Sequence, residues 1–169
     1  MTEYRVRPAL ITDVDRLVGL LAALQDHVET SNATIWEMTA EARRNLRGQV
    51  VSRVGAENGC ALVAEYAQDG IVGMAFGRVV TNNRYQPSRA GLVDQVYVVP
   101  EHRHKGAGRR LVAEMCQFFA GEGVDDLSLR YVVGNAEAAA FWTAMGFEPR
   151  IITAGASRQQ VEAALDRKG

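Results

Sequence analysis

A chain of 169 residues, 47% apolar and 23% charged with a net charge of −1, reads as one globular domain able to bury a proper core. The near-neutral balance argues against a nucleic-acid protein. No apolar run has the length of a membrane span, and the first residues lack the apolar stretch of a signal peptide. Cys60 and Cys116 stand far apart with no Cys or His at ligand spacing, so neither a disulfide nor a metal is expected, and the reading is a reducing cytoplasm.

In chain order, residues 4–8 read as a short strand ended by Pro8. Thr12 or Asp13 can cap a helix to about residue 28, with Val14, Leu17, Val18, Leu20, Leu21 and Leu24 on one apolar stripe. A polar stretch carrying Trp36 follows, and Thr39 opens a second helix to about Val54. Residues 60–68 and 71–80 read as strands joined through Asp69-Gly70, a strong hairpin signal. A polar loop leads to the central strand, 92–99, which Pro100 stops. A helix from about 107 to 120, a strand over 126–133, a helix from Asn135 to Gly146 and a last strand over 148–153 complete a core of about 4–153. Residues 155–169 read as a helical tail with Ser157 as cap. The order predicts a single domain over 1–169, an α/β fold whose mixed sheet has helices on both faces.

The centre of this pattern is residues 92–123. A strand turns through a basic loop, Arg103-His104-Lys105-Gly106-Ala107-Gly108-Arg109-Arg110, into a helix N-terminus. The first turn of a helix has unpaired N–H groups and the positive end of the dipole, and small residues let backbone approach a ligand closely. That is an anion site. It is not a P-loop, since Gly108 is followed by Arg109 and Arg110 instead of Lys and a hydroxyl, nor a dinucleotide fingerprint, since Leu111 stands where the third glycine belongs.

The Arg-x-x-Gly-x-Gly pattern of Arg103, Gly106 and Gly108, preceded by Val96-Tyr97-Val98-Val99-Pro100-Glu101, resembles the pyrophosphate-binding loop of the GNAT superfamily of acyl-CoA-dependent N-acetyltransferases. Gly134-Asn135-Ala136-Glu137-Ala138-Ala139-Ala140-Phe141-Trp142, followed by Met145-Gly146-Phe147, resembles the family's second signature. The resemblance implies a sheet of about six or seven strands and acetyl-CoA as donor. It implies pantetheine pairing with Val96, Tyr97 and Val98 across a gap opened by a bulge, and pyrophosphate on the N–H groups of residues 104–109, with Arg103, His104, Lys105, Gly106, Ala107, Gly108 and Arg109 as the loop. Val98 would donate its N–H to the developing oxyanion. Asn135, Ala139 and Trp142 share one helix face, which in the family meets the pantetheine arm. Phe141, counted with that segment, and Met145 lie on a neighbouring face and read as core.

Asp94 matches a position where many members carry a carboxylate base, and strict alternation puts its side chain on the same face as that of Val96. It has three readings: a general base working through water or in a dry cleft, a counter-ion for the substrate ammonium, or a structural strand-end Asp. Trp142 departs from the family, where Tyr is common and is taken as the acid for the departing thiolate. Indole cannot serve as that acid, so the thiolate leaves unassisted or Tyr131 or Tyr97 substitutes; Trp142 is equally a core aromatic. His102 is expected to be exposed. His27, Trp36, Glu65 and Asp94 are candidates for the acceptor side, with Glu37 in reserve. The function implied is acetyl transfer to a primary amine of a small molecule or peptide by direct attack, with no partner in nucleic acid or membrane and a homodimer as a plausible assembly. The alternatives are a non-catalytic acyl-CoA sensor on the same scaffold and a nucleotide-phosphate binder. Aminoglycosides, polyamines, amino acids, peptide N-termini and lysine side chains all remain as acceptors.

Overall fold

The computed structural model describes residues 4–32 and 37–167; Trp36 lies outside them. Five strands form one sheet in the order β1 (Arg5–Pro8), β2 (Gly59–Tyr66), β3 (Gly70–Thr81), β4 (Arg89–Val98) and β5 (Leu127–Leu129). The first four are antiparallel neighbours and β5 joins β4 in parallel. The Asp69-Gly70 turn closes the β2–β3 hairpin, with Gly70 at φ +69°.

One face carries α1 (Val14–Ser31) and α3 (Leu46–Val54), preceded by the short α2 (Ala40–Arg44). Leu17, Leu20, Val50, Met74 and Phe76 are buried there. The expected second helix is interrupted at Asn45, and Thr39 caps its first part by accepting from the Ala42 N–H. Asp13 starts α1 but does not cap it; its carboxylate turns back to the Leu10 N–H and to Arg7. The opposite face carries α4 (Ala107–Gly121), whose Leu111, Val112, Met115 and Phe119 pack with Val93, Val98 and Trp142. After β5 come α5 (Ala136–Ala144) and α6 (Arg158–Asp166), the latter opened by a Ser157–Gln160 capping box.

Two expectations are corrected. β5 spans three residues, not 126–133, and no strand forms over 148–153: Ile151 and Ile152 are 89% and 83% exposed. The sheet therefore has five strands, not six or seven. The isoleucine pair has strand propensity, but no neighbouring strand edge takes it up, and propensity without a pairing partner does not make a strand. No helix among the described residues is long and apolar enough to cross a membrane.

Candidate active site

β4 has two unlike halves. Gly91, Leu92 and Val93 pair with Leu127, Ser128 and Leu129 of β5. Beyond Val93 that pairing stops. On the other side the register with β3 slips: Phe76 faces Gln95 but Gly77 faces Val93, leaving Asp94 as the extra residue of a bulge. Val99 donates its N–H to the Val72 carbonyl of β3 at 2.9 Å. Backbone polar groups alternate sides along a strand, so the N–H groups of Val96 and Val98 point away from β3, to the edge that β5 has left. The result is a row of backbone donors and acceptors on an open notch in the sheet.

The bulge also corrects the expected placement of Asp94. Val93 and Val96 both pack on the α4 side, while Gln95 reaches Arg53 of α3 and Asp94 reaches Arg78. Strict alternation fails at the extra residue, so Asp94 and Val96 face opposite ways. Tyr97 is buried on the α1–α3 side.

The notch runs into the start of α4. Gly106 is the N-cap at φ +97°, and His104 sits at φ +57°. A non-glycine residue there stores about 1–2 kcal/mol of strain. These turns aim the N–H groups of the first helical turn outward, where no intrahelical acceptor exists for them. Ala107 is buried; His104, Lys105 and Arg109 are exposed around the turn. A Cβ at Gly108 would lie 3.3 Å from the Phe141 ring, so glycine lets α5 close against α4. Arg103 spans the notch: its Nε donates to the Val98 carbonyl at 3.0 Å, its Nη1 to Glu137 of α5 at 2.9 Å, and its guanidinium lies over the Tyr97 ring.

On α5, Asn135 is spent as the helix cap, its Oδ1 accepting from the Ala138 N–H at 3.0 Å. Ala139 is half-buried, and Trp142 is buried edge-on to Phe141 and Phe147. Trp142 is thus a packed core aromatic bordering the notch.

His102 is buried, not exposed as expected. The Tyr4 hydroxyl and Nδ1 share a hydrogen bond at 3.0 Å, and Nε2 lies 3.0 Å from Asp69 Oδ2. Burial raises the Tyr4 pKa, with Tyr66 and Asp69 adding to it, so the hydroxyl stays protonated. This chain of three side chains ties the approach to the loop to both the β2–β3 turn and the segment before β1.

The α1–α3 face of the bulge holds a cavity of about 120 Å³ bordered by Arg53, Cys60, Phe76, Arg78 and Asp94. Asp94 Oδ2 accepts from Arg78 Nε at 3.1 Å. Arg53 donates to Gln95 Oε1 at 2.6 Å and stands over the Phe76 ring. Burial pushes the Cys60 thiol up to about 11, which keeps it protonated and poorly nucleophilic.

The GNAT acetyltransferase family model matches residues 21–147, well over half of the chain. The chain belongs to the GNAT family of acetyltransferases. The donor in this family is acetyl-CoA, and the open notch with a left-handed turn into a helix N-terminus fits the extended pantetheine and pyrophosphate of that molecule. No curated protein matches the chain in sequence. Solved GNAT-like structures share the fold at low identity. A mutant of the BH1408 protein from Bacillus halodurans is 18% identical with a TM-score of 0.80, covering 90% of this chain and 98% of that one. Aminoglycoside N-acetyltransferase AAC(6')-Iy in complex with CoA is 16% identical with a TM-score of 0.74, covering 94% and 97%. A transcriptional regulator from Bacillus halodurans is 19% identical with a TM-score of 0.72, covering 92% and 99%.

Of the residues expected on the acceptor side, Asp94 lies at the bulge beside the cavity. Glu65 accepts from Arg7, which also binds Asp13, so it is tied into an ion-pair network at the β1–β2 edge. His27 lies half-buried on α1, and Glu37 is exposed. Arg53 and Arg78 were not foreseen. They sit on α3 and β3 within no motif, and only the fold brings them to Asp94.

Proposed function

We propose that this GNAT protein transfers the acetyl group of acetyl-CoA to a primary amine of a small molecule or peptide, by direct attack, in the cytoplasm. The observation that carries this is the open half of β4: a strand edge with free N–H groups at Val96 and Val98, running into the left-handed turn before α4. Val96, Tyr97 and Val98 would line the pantetheine, with the Val96 backbone pairing to it. Residues 104–109 would take the pyrophosphate on main-chain N–H groups, with Lys105 and Arg109 adding positive potential. Arg103 holds the lip of the notch to α5, and Ala139, Phe141 and Trp142 wall it.

Acetyl-CoA, when bound, would supply an activated acyl thioester. The Val98 N–H is placed to hydrogen-bond the oxygen on which negative charge develops. The amine must lose a proton, and Asp94, which accepts from Arg78 and borders the cavity, is the carboxylate of the bulge that would take it through water. The protonated Cys60 leaves no acyl-enzyme route there. Trp142 offers no acidic proton, so a thiolate would leave unassisted, as a thiol of ordinary pKa near 8.5 allows. That same residue supports a second reading, an acyl-CoA-binding sensor without turnover. A homodimer fits the exposed Ile151 and Ile152, and sedimentation checks it.

Calorimetry with acetyl-CoA, CoA and ATP, followed by thiol release across an amine panel, tests the proposal. Binding of both CoA species and not ATP, with turnover on an amine class, is the expected result. Tight CoA binding with no turnover selects the sensor; ATP competing at the loop selects a nucleotide-phosphate binder.

A further inference from the structure

The cavity at the bulge has an unbalanced charge. It brings together two guanidinium groups, Arg53 and Arg78, and one carboxylate, Asp94. Asp94 is paired with Arg78, whose Nε stands 3.1 Å from Oδ2. Arg53 is half-buried on α3, and among the described residues no carboxylate comes within 4.0 Å of it. Its contacts are a neutral amide oxygen, Gln95 Oε1, and the face of Phe76. An aromatic face and one amide acceptor satisfy part of a guanidinium that has five N–H donors. Burial lowers the Arg53 pKa, Asp94 pulls it back, and Arg78 adds to the lowering. A partly desolvated cation without a paired anion is costly, and Arg is the side chain best shaped to receive a carboxylate with two parallel bonds.

Position gives this charge a role. Arg53 is bonded to Gln95, the residue between Asp94 of the bulge and Val96 of the open edge. It lies on the sheet face opposite α4, on the same side as Asp94. Val98 lies three residues further along β4, about 10 Å away at strand rise. The Val98 N–H points to the open edge of the sheet, so an acceptor held at Arg53 would have to extend from this face to that edge to bring its amine there.

We infer that the acceptor carries a carboxylate several bonds from its reacting amine, and that Arg53 receives the carboxylate while the amine lies toward Val98. This rests on the N-acetyltransferase reading and narrows it: the acceptor is an amino acid-like or peptide-like amine, not a polycation. Polyamines and aminoglycosides would bring like charge to Arg53 and Arg78 with one already-paired carboxylate to offset it.

The test compares straight-chain ω-amino carboxylates of increasing length with their neutral carboxamides and with an aminoglycoside, by thiol release with acetyl-CoA. The acid is expected to exceed its amide in kcat/KM by about 10–100-fold. Arg53→Met, an unbranched side chain that still covers Phe76, should erase that preference by slowing the acid far more than the amide; Arg53→Lys should restore part of it. Equal rates for acid and amide, a preference for the aminoglycoside, or an equal loss on both substrates in Arg53→Met would overturn the inference while leaving acetyl transfer standing. If Arg53→Met does not fold, the acid-to-amide ratio of the unaltered protein decides alone. Turnover of no amine at all, with acetyl-CoA still bound in calorimetry, would overturn the parent reading and this one with it.

Discussion

The two halves of β4 carry opposite solutions to the same problem. From Gly91 to Val93 the strand is sealed against β5 so closely that a Cβ at Gly91 would lie 2.5 Å from Leu127 and 2.9 Å from Phe119. From Gln95 to Val98 the same edge is left open. A single extra residue, Asp94, separates them. The sealed half stabilises the fold, and the open half leaves backbone N–H groups to water or a ligand, with Arg103 bonding the Val98 carbonyl. The general lesson is that a binding site can be made by withholding pairing, with no special side chain at the point of contact.

The largest effect should come from removing one open donor. Val98→Pro deletes an N–H that bonds no strand, so kcat should fall about 100-fold or more, while the thermal midpoint, lowered only by lost packing of the buried Val98 side chain, should fall less than when a paired N–H is deleted. Val99→Pro deletes the N–H that bonds Val72, and it should cost stability instead. Equal loss of midpoint in both would collapse the distinction between the halves. In the sealed half, Gly91→Val should destabilise by about 1–3 kcal/mol through overpacking against Phe119 and Leu127, read by denaturant melts. Gly108→Leu would push against the Phe141 ring; acetyl-CoA affinity should drop about tenfold, equivalent to about 1.4 kcal/mol, by calorimetry.

The smallest effect is remote from β4 and serves as control. Arg7 holds the Asp13 carboxyl below the usual range, with the Leu10 N–H assisting against the opposing effect of burial. A group with a depressed folded pKa contributes stability above its unfolded pKa, near 3.9, and loses it as pH falls through the folded value. Acid unfolding should therefore be less steep in Asp13→Asn, with acetyl-CoA affinity at neutral pH unaltered.

Local patterns carried most of the fold. The stripe of Val14, Leu17, Leu20 and Leu21 marked α1, Asp69-Gly70 marked the hairpin, and Ser157 marked the cap of α6. What remained hidden depends on residues far apart in sequence. His102 looks exposed because nothing nearby shows that Tyr4, 98 residues away, and Asp69, 33 residues away, will meet its ring. Asp94 was located but faced the wrong way, since a bulge is an offset between two strands and appears in neither alone. Arg53 and Arg78 share no motif: the β3–β4 register sets Arg78 against Leu92, and α3 brings Arg53 to Gln95. The isoleucines at 151 and 152 carry the composition of a strand, yet no strand pairs with them.

The left-handed turn before α4 has a thermodynamic consequence. His104 and Gly106 already hold positive φ, and Arg103 is clamped at both Val98 and Glu137. A loop fixed in this way before any ligand arrives gives up little conformational freedom on binding. Donor association should then resemble docking into a rigid mould, with a rate set by encounter and not by loop closure.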